Sequence, residues 1–318
     1  MISRRQAIVL LGAAVVPLAR AASPRPAVSL WTFERGLMGT RFEIRCYHPD
    51  EATARVASAE AFAAAEQINA LASDYIADSE LLELTRRPHD QPVATSPTLF
   101  NLISQAIELA KKTDGRFDPT LGPLTQLWRE SRRRKTLPAA DKLAAARAAC
   151  GWKQLLLDPQ ARTITCLKPN MRLDLGGIAK GQAADAMLAV MLRHGIATTC
   201  ITAGGDIRLG EAPPESDGWS IGVKTFETSR KPKTLQLANV AVSTSGDLHQ
   251  FIELDGIRYS HIIDPATGLG LTREVAATVI APCATVSDAL ATACCVSPAA
   301  EAEALALAAG ATRVHLAN

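Results

Sequence analysis

The chain of 318 residues carries almost no surplus of charge, with 34 Lys and Arg against 32 Asp and Glu. Binding along a nucleic-acid backbone calls for a basic face. The one dense run, Arg132 to Lys135, reads instead as a solvated helix end or loop. Seven cysteines are present without any CxxC or metal-type spacing, and the odd count leaves a thiol unpaired within a monomer. Most of them read as small buried hydrophobes. Two familiar nucleotide seats are also missing. Gly176 to Gly181 fits the GxxxxG of a P-loop, but Gln182 and Ala183 follow where Lys and Ser or Thr belong, and G-x-G-x-x-G does not occur. There is no internal repeat and no long linker. With 47% hydrophobic residues, the chain has material for one compact domain from about Ser23 to Asn318.

No apolar run is long enough to span a bilayer once the N-terminal segment is removed. That segment, "MISRRQAIVLLGAAVVPLARAASP", has a basic start, an apolar stretch from Ala7 to Leu18 and small residues around Ala21. Residues 1–22 are expected to be an export signal to the periplasm; Arg4-Arg5 points to the twin-arginine route, and the core "SRRQAIV" also permits ordinary secretion. The first cysteine is Cys46, too distant for a lipoprotein anchor.

What is present reads as α+β. "TFERGLMGTRFEIRCYH" alternates as a strand, and Glu51 to Ala72 forms an alanine-rich amphipathic helix. Further helices are expected over Pro97 to Thr113, over Pro138 to Ala149, and from "DLGGIAKG" to His194. Strands are expected at Gln154 to Asp158 and Thr163 to Leu167. Beyond Thr198 the chain turns strand-rich, through "TTCITAGGDIRLG", "GWSIGVKTF", "LQLANVAVSTSG", "QFIELDGIRYSHIID" and "EVAATVIAP", before two helices and a last strand. Helices and strands do not alternate strictly, which argues against a doubly wound sheet.

Polar residues and glycines gather at the ends of these elements. In "RLDLGGIAKGQAADAM" an acid, a glycine pair, a lysine and another glycine stand where a helix begins. Glycines admit close backbone approach and helix-start amides favour anions, so the segment reads as a phosphate seat. Asp174 serves equally well as a cap for the following turn. Lys180 is misplaced for the helix dipole, a conflict that a bound anion would resolve. In "TVSDALATA", Asp288 and Thr292 are four apart, which places two hard oxygen donors on one helix face. The same stretch also satisfies a capping box, Thr285-x-x-Asp288. His261, in "YSHIIDPATG", suits a general base with Asp264 nearby, and a structural histidine fits as well. Met38 in "LMGTRFEI", Tyr75 in "LASDYIADSEL", and Phe117 and Asp118 in "DGRFDPTLGPL" have ordinary turn or helix-end readings when taken alone.

Together these motifs, in the order MGT, DYxxDSEL, FDPTLGPL, DLGGIAKG, AGGDI, STSGD, YSHIIDPATG and DALATA, resemble the ApbE family of FAD:protein FMN transferases. The resemblance covers nearly all of the chain beyond residue 22 and departs at Thr202, where the family usually has Asn before AGGD. It implies a magnesium-dependent enzyme that transfers the FMN moiety of FAD to a threonine hydroxyl of an acceptor protein and releases AMP. It implies FAD contacts from Met38, Tyr75, Phe117, Asp118, Asp174 and Lys180. Metal ligation would come from the Gly177 carbonyl, Asp288 and Thr292, and the catalytic role from His261, with Asp264 a second candidate base. The same site with water as nucleophile would be an FAD pyrophosphatase. Without turnover it would be a periplasmic flavin carrier.

Overall fold

The computed structural model describes residues 28–223, 233–246 and 251–317. The expected leader, 1–22, lies outside them, as do Asp247 of the STSGD motif and the end of "GWSIGVKTF". In chain order the elements begin with β1 (Ser29–Leu37), β2 (Thr40–His48), α1 (Glu51–Ala72), α2 (Glu80–Arg86), β3 (Val93–Ala94), α3 (Pro97–Lys112), α4 (Gly122–Arg134) and α5 (Ala140–Ala148). Next come β4 (Leu155–Asp158), β5 (Thr163–Cys166), α6 (Ala179–Arg193), β6 (Thr199–Ala203), β7 (Asp206–Leu209), β8 (Trp219–Val223) and β9 (Lys233–Leu237). The chain closes with β10 (Ala241–Gly246), β11 (Phe251–Leu254), β12 (Ile257–Ser260), β13 (Ala276–Ala281), α7 (Ala284–Val296), α8 (Ala299–Ala309) and β14 (Arg313–Ala317).

The main sheet runs β1-β2-β6-β7-β10-β13-β14, with every neighbouring pair antiparallel. Side chains of a strand alternate between faces, and β6 shows the consequence. Ile201 and Ala203 join Phe42, Ile44 and Met187 under α1 and α6, while Cys200 packs with Trp219 of the β8–β9 hairpin on the opposite face. A second core forms where α3, α7 and α8 meet the β13 side of the sheet. A small cluster built on Leu124, Trp128, Tyr259 and Ile263 joins α4 to the β11–β12 hairpin. The fold is α+β and compact. Among the described residues, no helix is long and apolar enough to cross a membrane.

The α1 helix has the expected bounds because Asp50 accepts the Ala52 and Thr53 amides and an alanine-rich stripe from Ala54 to Ile68 is buried. Four expected strand stretches fold back on themselves, the first being "TFERGLMGTRFEIRCYH", which is not one strand but the antiparallel β1–β2 pair turning at Met38-Gly39. The "TTCITAGGDIRLG" run turns at Gly204-Gly205, "LQLANVAVSTSG" breaks at Asn239, and "QFIELDGIRYSHIID" turns at Asp255-Gly256, where both residues take positive φ, 51° and 74°. Two helices exceed the sequence expectation, α2 and α4. The α4 helix buries only a thin stripe through Leu124, Trp128 and Ser131, and its mostly polar remainder hid the periodicity. The run Arg132 to Lys135 is indeed a solvated helix end, closed by Lys135 at φ 53°. All seven cysteines are free thiols, and five are buried.

Candidate active site

The two cores leave between them a cavity of about 870 Å³, within the usual range for small-ligand sites. Its walls come from segments spread over most of the chain. On one side the β1–β2 hairpin turns through Met38 and Gly39, at φ 49° and 71°. That is the two-residue turn with both central residues left-handed, and it sets Met38 at the cavity edge. Tyr75 follows α1. There Ser73 Oγ accepts the Tyr75 and Ile76 amides at 3.1 and 3.2 Å, so the turn is fixed although Tyr75 is 76% exposed.

Phe117 and Asp118 form another part of the lining. Asp118 Oδ1 accepts the Thr120 amide at 2.7 Å and the Thr120 hydroxyl at 2.6 Å, and its Oδ2 faces the Trp152 amide at 3.3 Å. Burial raises the Asp118 pKa in spite of these donors. Asp174 makes the cap that the sequence allowed and also lines the cavity. Its Oδ1 takes the Gly176 amide at 2.8 Å as a cap, and its Oδ2 lies 3.5 Å from Arg129 Nη2 on the cavity side.

The glycines of DLGGIAKG divide into two roles. Gly177 lines the cavity, and a Cβ there would sit 3.3 Å from Thr292 Oγ1 and 3.4 Å from the Phe117 ring. Gly181 instead serves packing. A Cβ there would lie 2.2 Å from the Ala284 carbonyl oxygen, so only glycine lets α6 and α7 meet this closely.

At that meeting the helices complete each other. Neither α6 nor α7 has a side-chain cap of its own. Asp288 of α7 accepts the Gly181 amide at 3.1 Å. Asp185 of α6 accepts the Ala284 and Thr285 amides at 2.9 and 2.8 Å, and the Thr285 hydroxyl at 2.7 Å. The Thr285–Asp288 capping box therefore does not form, because each residue is engaged with α6.

Lys180 resolves its conflict with the helix dipole through protein carboxylates. Its Nζ lies 2.9 Å from Asp206 Oδ2 and 3.3 Å from both oxygens of Asp288. The Asp206 contact is one of charge, since that oxygen has no well-angled hydrogen bond. Burial works against the Lys180 charge, but the two carboxylates hold its pKa above the ordinary lysine value. Burial, followed by the Asp206 charge, pushes Asp288 up to about 7 against the pull of Lys180. Asp206, 2% exposed at the start of β7, is the member of this cluster that the sequence left without a role. Its signal was an acid after two glycines in AGGDI.

When both carboxylates are ionised, two acids sharing one ammonium give the cluster one negative charge in excess. Asp288 and Thr292 both line the cavity, Gly177 lies beside them, and all three offer oxygen, the donor a hard divalent cation takes. Among the described residues no three His, Cys, Asp or Glu side chains are grouped for a metal. An ion here would draw on one carboxylate, one hydroxyl and one carbonyl, with phosphate and water in the remaining positions, which is how magnesium is usually held. The residues fit that ion.

His261 follows β12 and is solvent-exposed at the cavity rim. Asp264 is not part of the cavity lining. Its Oδ1 accepts the Ala266 amide at 2.9 Å, and its backbone pairs with Leu269 and Gly268, closing the PATG turn that Trp128 Nε1 pins through the Gly268 carbonyl at 2.8 Å. The structure thus brings ten of the eleven sequence candidates to one cavity and leaves Asp264 in the supporting turn.

A sequence model described as the ApbE family matches residues 38–315. The chain belongs to the ApbE family. It is 32% identical over 275 residues to a protein of Treponema pallidum named FAD:protein FMN transferase, covering 81% of this chain and 76% of that one. It is 31% identical over 261 residues to a protein of the same name from Vibrio cholerae, covering 80% and 78%. Among solved structures, the flavin transferase ApbE of Vibrio cholerae superposes with a TM-score of 0.81 at 29% identity, covering 91% of this chain and 93% of that one. The apo flavinyl transferase ApbE of Pseudomonas stutzeri gives 0.79 at 27% identity, covering 88% of each.

Proposed function

We propose that this chain transfers the FMN moiety of FAD to a threonine hydroxyl of an acceptor protein and releases AMP. The observation that carries the reading is the convergence of Lys180, Asp288, Thr292 and Gly177 on one cavity with His261 at its open rim. Cation and oxygen donors on the inner wall suit a pyrophosphate, and an exposed imidazole at the rim suits a macromolecular nucleophile that arrives from solvent.

Magnesium held by Asp288, Thr292 and the Gly177 carbonyl would supply charge neutralisation at the phosphates. The remaining work falls to the chain itself. Lys180, fixed between Asp206 and Asp288, sets its ammonium beside the phosphate wall. His261 takes the proton of the acceptor hydroxyl as its oxygen attacks the FMN phosphorus. The bond from that phosphorus to the bridging oxygen breaks, and AMP leaves with the bridging oxygen. Catalysis of this kind rests on positioning and fixed charge. Residues 1–22 support export and action in the periplasm.

The test is to incubate the protein with FAD and magnesium, with and without an acceptor carrying a threonine site, and to measure AMP and acceptor-bound flavin fluorescence. Acceptor-dependent AMP with a fluorescent acceptor band, lost when the acceptor threonine is changed to alanine, supports transfer. AMP formed equally without acceptor would make the protein a hydrolase. FAD binding with no AMP would make it a carrier.

A further inference from the structure

The α4 helix places in the cavity a side chain to which the reaction so far gives no task. Arg129 lies with its guanidinium carbon 4.1 Å from the centroid of the Tyr75 ring. Its Nη1 is 2.6 Å from Asp74 Oδ2 and its Nη2 is 3.5 Å from Asp174 Oδ2. Two carboxylates on different segments therefore set the guanidinium, and the guanidinium covers one face of the tyrosine. The Asp74 side chain is 9% exposed, and burial, followed by the Asp174 charge, raises its pKa against the pull of Arg129. Tyr75 itself is 76% exposed. Apolar packing does not hold such a ring in place, whereas the stacked guanidinium does.

We infer that Arg129 is a positioning residue that backs the Tyr75 ring, so that the opposite ring face is presented to the cavity as a stacking platform for a planar ring of the bound dinucleotide. This rests on the proposed use of FAD, which offers two such rings, isoalloxazine and adenine. Through Asp174 the same guanidinium fixes the platform relative to the Gly176–Gly177 wall, and hence the ring site relative to the phosphate site. Arginine is needed for this, because a planar fork stacks and pairs at once while a lysine ammonium does not.

The experiment is a double-mutant cycle on Arg129→Lys and Tyr75→Ala, read by titration with FAD, FMN and AMP and by AMP release from FAD. Arg129→Lys is expected to weaken FAD binding roughly tenfold, with the rate at saturating FAD changed by less than about threefold. In the Tyr75→Ala background it should add nothing further. Loss of FMN affinity with AMP affinity intact assigns the isoalloxazine to the platform, and the reverse assigns adenine. Additive effects of the two substitutions, or unchanged affinity for both FMN and AMP, would overturn the inference. Should Arg129→Lys unfold, Asp74→Asn completes the same cycle, since it leaves both stacked partners in place and releases only the guanidinium. Its effect too should vanish in the Tyr75→Ala background. Wild-type protein that binds no FAD would sink the proposed function, whereas normal FAD binding with additive effects removes only the role of Arg129.

Discussion

The Gly181 amide donates to Asp288 Oδ2 at 3.1 Å across the contact between α6 and α7. Asp288 is thus a cap for a helix other than its own, and it also faces Lys180 and the cavity. Asp288→Ala is expected to abolish magnesium-dependent AMP release. Its stability cost should stay within about 1–3 kcal/mol, the range for a buried donor left unpaired, because Lys180 keeps Asp206. Urea denaturation alongside the AMP assay checks both. A less stable variant with full activity would return Asp288 to a purely structural role.

Removal of Lys180 should be worse for stability than removal of either partner. Lys180→Met leaves Asp206 and Asp288 buried without their cation, a loss on the order of 3–5 kcal/mol. Magnesium should raise the melting temperature of this variant more than that of the parent, since added positive charge replaces what was lost. Equal shifts in the two proteins would mean that the ion does not meet these carboxylates.

Gly181→Ala sets two effects against each other. Alanine gains about 1 kcal/mol of helix propensity, but its Cβ would stand 2.2 Å from the Ala284 carbonyl oxygen, which is backbone. Overpacking costs about 1–3 kcal/mol, more where backbone has to yield, so the net effect is destabilising. Denaturant unfolding should show it, and a stabilised variant would disprove the close contact.

His261→Ala removes a side chain exposed at the rim. Single-turnover transfer at saturating FAD should slow by about 10²–10⁴-fold, the usual contribution of a positioned general base. FAD affinity and melting temperature should stay near the parent values. Transfer at the parental rate would leave the proton with another acceptor.

The oxygen donors and the lysine were legible because each is a local pattern: Asp288 and Thr292 share a face by their spacing of four, and Lys180 stands at a helix start. Asp206 and Arg129 were not. Asp206 meets Lys180 only because β7 runs alongside α6, and Arg129 sits on a helix whose thin apolar stripe gave little periodicity. The capping box misled for a related reason. Its sequence is correct for a local hydrogen bond, but Asp185 and Gly181, about one hundred residues away, compete for the same groups. The repeated glycines likewise pointed to phosphate at Gly181, where the structure shows helix packing. Fold class followed from strand and helix counts, whereas the hairpins within long strand-rich stretches depended on Gly and Asn turns.

The reciprocal caps of α6 and α7 also bear on the order in which the molecule is made. Each helix start is finished by a carboxylate 99 to 107 residues distant, so these ends mature through docking and not through local nucleation. A nascent chain that has produced Lys180 and the glycine wall has not yet produced Asp288 or Thr292. Under the proposed function, chemistry therefore waits on the last quarter of the sequence, and a truncated or unfinished polypeptide would hold one half of the proposed site without the oxygen donors of the other.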